Sequence, residues 1–197
     1  MVNLLSKKKN TIISLVMTLI LAAVAYYYFV IYSSVRDISL PATYKGYSTA
    51  QALFSGADLV VIGSPIKDFE DREVILKERS RGIIEYIVTS TEINVEKVLK
   101  GPKEDAVNLK VIEPIGIRQT YRGKERIASD GYTAMRKDSQ YVIFLGENTF
   151  GQYSVINMQA GKFNLDGTDP DDLSGEESFN KQRIFTELKT DFSQELK

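Results

Sequence analysis

The longest uninterrupted apolar stretch lies at the front of the chain. From Thr11 to Tyr32 every residue is uncharged, and most are strongly apolar. As a helix rising about 1.5 Å per residue, the stretch reaches about 33 Å, enough for a hydrocarbon core of about 30 Å. Lys7, Lys8 and Lys9 stand directly before it, and the first charge beyond it is Arg36. Short basic flanks stay on the cytoplasmic side of a membrane. The pattern therefore predicts a cytoplasmic N-terminus over 1–10, a transmembrane anchor over 11–32, and the remainder outside. Tyr26, Tyr27, Tyr28 and Tyr32 gather at the outer end, where amphipathic rings favour the headgroup region. A cleaved secretory signal competes with this reading, because Ala23-Val24-Ala25 is a small-x-small box. Cleavage after Ala25 would leave a mature chain beginning on the apolar run YYYFVIY, which has no evident use.

Beyond the anchor the pattern changes character. Residues 33–46 contain Pro41 and Gly46, show neither period, and read as a stalk. Ser48 is placed to cap a brief helix through Ser55, with Ala50, Leu53 and Phe54 on its apolar side and Gly56 as its stop. The run from Ala57 to Gly63 suits a strand buried on both faces. Residues 67–82 are dominated by charge, and only Val74, Ile75 and Leu76 suggest an edge strand there. From Ile83 to Leu99 the chain predicts a long strand: Thr91, Ile93 and Val95 point one way, Glu92, Asn94 and Glu96 the other. The alternation slips at Lys97-Val98, as at a β-bulge, and Gly101-Pro102 forces a turn. Val107, Leu109 and Val111 alternate with Asn108 and Lys110 in a further strand that ends at Glu113-Pro114.

Residues 115–139 are less regular. Gln140 to Leu145 is a second buried-strand run, and Tyr153–Met158 and Lys162–Leu165 read as paired strands about Ala160-Gly161, followed by a turn at Asp166-Gly167. Ser174 and Glu177 make a capping box, with Asp171, Asp172, Glu176 and Glu177 at the positive end of the helix that follows. Phe185, Leu188, Phe192 and Leu196 form its apolar stripe. Residues 47–197 are thus expected to be one outside domain, mainly β with flanking helices. Its strands are close in sequence, so the sheet should be antiparallel, and closure into a small barrel removes its edges.

Composition narrows the chemistry. The chain has 197 residues, no His, no Cys and 25 bases against 26 acids. Without Cys there is no disulfide, thiolate nucleophile or lipoprotein anchor, and without His no Ser-His-Asp triad or imidazole base. No cofactor or metal is implied. Residues 1–32 hold three Lys and no acid, which leaves 22 bases against 26 acids outside. An acidic domain is not one built to hold nucleic acid, and none is expected as a partner. The Lys-rich, Cys-free make-up suits a Gram-positive type of envelope.

The succession ADLVVIG, EINVEKVLKG, AVNLKVIEP and KDSQYVIFLG resembles small exported bacterial membrane-anchored proteins with an OB-like barrel, similar to that of netrin-type and metalloproteinase-inhibitor modules. The resemblance covers residues 57–165 and rests on strand order and on Val98-Leu99-Lys100-Gly101. It implies a small antiparallel OB-like barrel between the transmembrane helix and a C-terminal amphipathic helix. The inhibitor modules hold a protease metal through an N-terminal Cys, which this chain lacks, so neither that mechanism nor any site residue carries over.

Four features remain as candidate chemistry. The run Asp166, Asp169, Asp171, Asp172 has the oxygen density that calcium favours, but Pro170 breaks EF-hand spacing, and acids are ordinary before a helix. Arg118, Arg122, Lys124 and Arg126, with Tyr121 among them, suit an acidic or phosphate-rich partner or simple solubility. Tyr121, Tyr132 and Tyr141 suit an aromatic binding face; Tyr141 opens a buried strand, which leaves Tyr121 and Tyr132 as the exposed candidates. A Ser–Lys dyad survives the missing His and Cys but needs a desolvated lysine, and the nearest candidates, Lys97 and Lys100, have no serine on a strained turn nearby.

The expectation is a non-catalytic, membrane-anchored binding module. Its partners are the lipid bilayer through residues 11–32 and an envelope protein met by Arg118, Tyr121, Arg122, Lys124, Arg126 and Tyr132. An envelope hydrolase of Ser–Lys or carboxylate type is the alternative. So is a protein that acts through its anchor, where Thr11, Ser14, Thr18 and Ala22 make a small-residue face.

Overall fold

The computed structural model describes residues 2–80, 83–173 and 178–194. The chain divides into two compact units. One comprises Met1–Asp37 with Arg118–Arg126, the other Ile38–Ile117 with Ile127–Lys197.

In the first unit, helix α1 (Val2–Tyr26) runs into a π-helical turn, Tyr27–Tyr32. The span Thr11–Tyr32 has mean hydropathy 2.1 and no buried residue, and is long and apolar enough to cross a membrane. The turn ends where Ser33 Oγ donates to Tyr28 O at 2.7 Å and Ser34 Oγ to Ile31 O at 2.6 Å, which satisfies carbonyls the helix leaves open.

Residues 33–46, which show no period in sequence, contain strand β1 (Val35–Leu40). It belongs to a three-stranded sheet of order β1–β7–β6, with β6 at Ile115–Thr120 and β7 at Gly123–Ser129. The region 115–139 thus holds a hairpin that the sequence conceals. Neither strand alternates cleanly, because Gly116 and Gly123 occupy buried positions where no side chain would fit.

The second unit is built on a closed five-stranded barrel. Its strands are β2 (Leu59–Pro65), β4 (Ile83–Lys100), β5 (Lys110–Glu113), β8 (Tyr141–Glu147) and β9 (Tyr153–Val155). The ring runs β2–β4–β5–β9–β8 and back to β2. Every pairing is antiparallel except β5 with β9. Counted in chain order, the strands follow first, second, third, fifth, fourth, which is the OB arrangement. The edge strand β3 (Glu73–Arg79) lies along the first half of β4, as Val74-Ile75-Leu76 suggests. β4 is bulged against β2 at two places, skipping Glu96 and Leu99, on either side of the slip at Lys97-Val98.

Two predicted strands differ. The alternation from Val107 does not become strand until Lys110. Asn108 adopts a left-handed backbone (φ 54°), a 3-10 turn occupies Glu104–Ala106, and Val107 faces solvent. β9 and β10 (Lys162–Asn164) do not pair with each other. Both lie along one edge of β8, β9 against Leu145–Glu147 and β10 against Tyr141–Ile143. The turn Met158–Gly161 carries the chain from one to the other.

The continuous apolar runs of β2 and β8 follow from two cores. Leu59, Val61, Tyr141, Ile143 and Leu145 fill the barrel with Ile93, Val111, Tyr153 and Val155. Val60, Ile62, Val142 and Phe144 face outward, onto helices α2 (Ala50–Gly56) and α3 (Ser178–Asp191). The start of α2 is capped by Thr49, whose hydroxyl accepts from Ala52 N at 3.2 Å, and not by Ser48. Leu53, Ile184 and Leu188 are fully buried there, with Phe54 stacked on Phe192 and Phe163 on Phe185. The capping box at Ser174 and Glu177, and Leu196 of the predicted stripe, fall outside the described residues.

Candidate functional site

The basic hairpin is less available than its charge count suggests. Glu125 accepts from Arg118 Nε at 2.8 Å and pairs with Arg36, and Asp37 pairs with Arg126 at 3.3 Å. The hydrogen bond from Arg118, against opposing burial and with Arg36 assisting, holds the Glu125 carboxyl below its ordinary range. Arg122 and Lys124 form no ion pair among the described residues, and Arg122 sits over the Tyr121 ring at 5.1 Å. Tyr132 does not belong with them. It is 2% exposed, its ring lies in the barrel core and its hydroxyl donates to Glu113 Oε2 at 3.0 Å. Burial, with Glu113 beside it, drives its phenol well above the ordinary range. Tyr141 is buried as expected. Of the three tyrosines only Tyr121 faces solvent.

Inside the second unit a sealed polar group surrounds Glu113. Its Oε1 accepts from Arg72 Nη1 at 2.8 Å and from the Thr91 hydroxyl, and its Oε2 also accepts from Met135 N at 2.8 Å. Arg72 gives its remaining protons to Lys67 O, Met135 O and, at 3.4 Å, the Thr91 hydroxyl oxygen. Every donor has an acceptor, so the pair is a satisfied structural network.

A second group joins β10, α3 and the acidic run. Asp172 Oδ1 accepts from Lys162 Nζ at 3.3 Å and Lys181 Nζ at 2.6 Å, and its Oδ2 accepts from Asn164 N at 3.0 Å. Both lysines are fully buried. Lys162 faces the Tyr132 and Tyr141 rings at 5.4 and 5.3 Å, and Lys181 faces Phe163 at 5.4 Å. Burial, with Lys162 beside it, pulls Lys181 down to about 7 despite the attraction of Asp172. Asp172 therefore does not serve the helix terminus as an exposed acid. It is a buried counter-ion.

The acids of residues 166–172 point apart. Asp166 accepts from Gln140 N, Asn164 and Thr168; Asp169 accepts from the Tyr141 hydroxyl; Asp172 is held by the lysines. Burial would raise the Asp166 carboxyl, but these donors outweigh it and hold it at about 2. Among the described residues no group of three or more acids converges as a metal cluster.

A Ser–Lys site requires a desolvated lysine, but Lys162 and Lys181 both bond to a carboxylate, and among the described residues no serine is a partner of either. Lys100 is engaged otherwise. Its Nζ donates to Phe54 O, Ser55 O and Ala57 O at 2.9, 2.9 and 2.6 Å, closing the C-terminal end of α2.

An open groove lies beside β4 and β5. The β5 ladder covers Thr89–Glu92 of β4 and ends where Ile93 N donates to Leu109 O at 3.0 Å. The chain before Leu109 then turns away at Asn108, and among the described residues no strand continues that ladder along 94–100. The space left is about 450 Å³, floored by Ile93, Val95 and Leu109 and rimmed by Ile66, Glu92, Asn94, Asn108 and Lys110. A smaller hollow of about 230 Å³ shares Glu92 with it. Sequence reasoning missed the groove because its residues read simply as two alternating strands.

No family model matches the chain, and no curated protein matches its sequence.

Proposed function

We propose that this protein is a non-catalytic binding module of the cell envelope, anchored by residues 11–32 with its N-terminus in the cytoplasm. Its barrel lies outside and takes an extended segment of a partner protein. The observation that carries this reading is the interrupted ladder of β4, an exposed strand edge beside an apolar-floored groove. An incoming strand gains main-chain hydrogen bonds from such an edge and side-chain contacts from the groove. Glu92 and Lys110 on the rim give the site one charge of each sign, which fits a polypeptide better than a polyanion. The orientation follows from Lys7, Lys8 and Lys9. Tyr132 leaves the partner-contact set, and the groove replaces the basic hairpin as the contact surface.

The test is in-cell photo-crosslinking from position 108, read by mass spectrometry. The intact chain is compared with one whose residues 1–35 are replaced by an unrelated spanning helix. The expected result is one protein captured by both and lost when Val95 is replaced by Arg. A partner lost with the native helix, and indifferent to V95R, would place the function in the anchor instead.

A further inference from the structure

The first unit brings the β6–β7 turn against the outer end of the apolar helix. Tyr27 Oη donates to Tyr121 O at 3.0 Å, Gln119 Nε2 donates to Tyr32 O at 3.0 Å, and Lys124 N donates to Ser34 O at 2.7 Å. Gly123 has a positive φ of 111°, and a Cβ there would stand 2.4 Å from Ser34 Oγ and 2.8 Å from Ile31 O. The turn is thus pressed on the helix end at a distance only glycine permits.

That contact fixes the depth of the turn once the helix is in a bilayer. With the span Thr11–Tyr32 centred, Tyr27 lies about 8 Å and Tyr32 about 16 Å from the midplane, and the hydrocarbon boundary is at about 15 Å. A turn bonded to both stands at the boundary. Its exposed groups suit that level. Tyr121 is 69% exposed, with an apolar ring and a polar tip, and the Arg122 guanidinium lies over it. Five bases, Arg36, Arg118, Arg122, Lys124 and Arg126, stand against two acids, Asp37 and Glu125, both of them ion-paired. The outside part is acidic as a whole, so this is a local basic island at the membrane end of an otherwise acidic chain.

We propose that the β6–β7 turn is a lipid-contacting foot: Tyr121 sits between acyl chains and headgroups, and Arg122 and Lys124 meet the phosphates of anionic lipids. The inference rests on the reading of residues 11–32 as a membrane anchor. It reassigns Tyr121, Arg122 and Lys124 from a protein partner to the bilayer that the anchor already occupies.

The chain has no Trp, so a single tryptophan reports depth without background. Full-length Y121W and V24W are reconstituted in phosphatidylcholine vesicles containing a minority of phosphatidylglycerol, with bromine placed shallow or deep on the acyl chains. Both sites are exposed on the protein, so the substitutions leave packing intact. V24W should be quenched chiefly by deep bromine. Y121W should lose about half its emission to shallow bromine and little to deep. Reversing Arg122 and Lys124 to Glu in the Y121W chain should cut that quenching about twofold, and only where phosphatidylglycerol is present. Quenching of V24W without quenching of Y121W overturns the foot and leaves the anchor standing. Failure to quench either overturns both. Quenching of Y121W that ignores lipid charge and the Glu substitutions overturns the phosphate contact.

Discussion

Lys162, Lys181 and Asp172 bring two ammonium groups to one carboxylate, all three buried. Below pH 7, where both lysines are charged, removing the carboxylate leaves two cations without their ion-pair partner, so D172N should cost about 3–5 kcal/mol in denaturant unfolding at about pH 6. Removing one lysine leaves a one-to-one pair, so K181M should fall within about 1 kcal/mol of the parent or exceed it. The same site sets a pH dependence. Folding lowers Lys181 from 10.5 to about 7, so between those values the unfolded chain holds a proton the folded chain lacks. Stability from this group is complete above 10.5 and is lost as pH falls through 7, at a slope of up to about 1.4 kcal/mol per pH unit between them. Asp172 bonds the group, Lys162 shares that carboxylate and Asp169 lies close by, and all three are retained in K181M. Denaturation curves from pH 7 to 10 should therefore rise less steeply for K181M than for the parent. Equal slopes would show that another group carries the dependence. None of this was legible in sequence, because Lys162 merely opens a short predicted strand, Lys181 stands among Asn180, Gln182 and Arg183, and only the packing of α3 on β10 seals them.

At the scale of elements, the legible strands were those whose neighbours are long. β2 and β8 announce themselves as continuous apolar runs because each is buried between the barrel interior and a helix layer. β4 alternates through Thr91–Val95 because one face meets the core and the other does not. β5, β9 and β10 lie within predicted strands, but they are only three or four residues long, and their extent and partners depend on distant segments: β5 and β9 close the ring, and β10 lies beside β8. The β6–β7 hairpin was hidden by its buried glycines and by the ion pairs that Glu125 and Asp37 make with Arg118 and Arg126. β2 also carries a test of the barrel itself. A Cβ on Gly63 would stand 2.6 Å from Asn94 O and 2.8 Å from Ile93 Cγ2, backbone and core on the facing strand. G63A must therefore push β4 away where it has just bulged to follow β2. The expected loss is about 1–3 kcal/mol, against well under 1 kcal/mol for G46A, which meets nothing within 4 Å. Matching losses in thermal or denaturant melts would mean that the β2–β4 contact has slack.

For the molecule as a whole, the question is what the apolar helix contributes to folding. Both hydrophobic cores draw their buried members from Ala50 onward, and the span Thr11–Tyr32 buries none of its residues within the protein. Burial is the main source of stability, so the helix adds solvent incompatibility without adding core. What it does contact is local: the carbonyl and side-chain hydrogen bonds at Tyr27, Tyr32 and the β6–β7 turn. A chain starting at Ser33 should therefore be soluble without detergent and unfold cooperatively. Slow amide exchange should persist in β2, β4 and β8 at the level of the full-length protein. Exchange should speed up only between Gln119 and Lys124, where two hydrogen bonds to the helix have gone. Loss of protection throughout the barrel would mean that the barrel folds only with the apolar helix attached. Protection unchanged in the turn would mean that the turn holds its shape without the helix end.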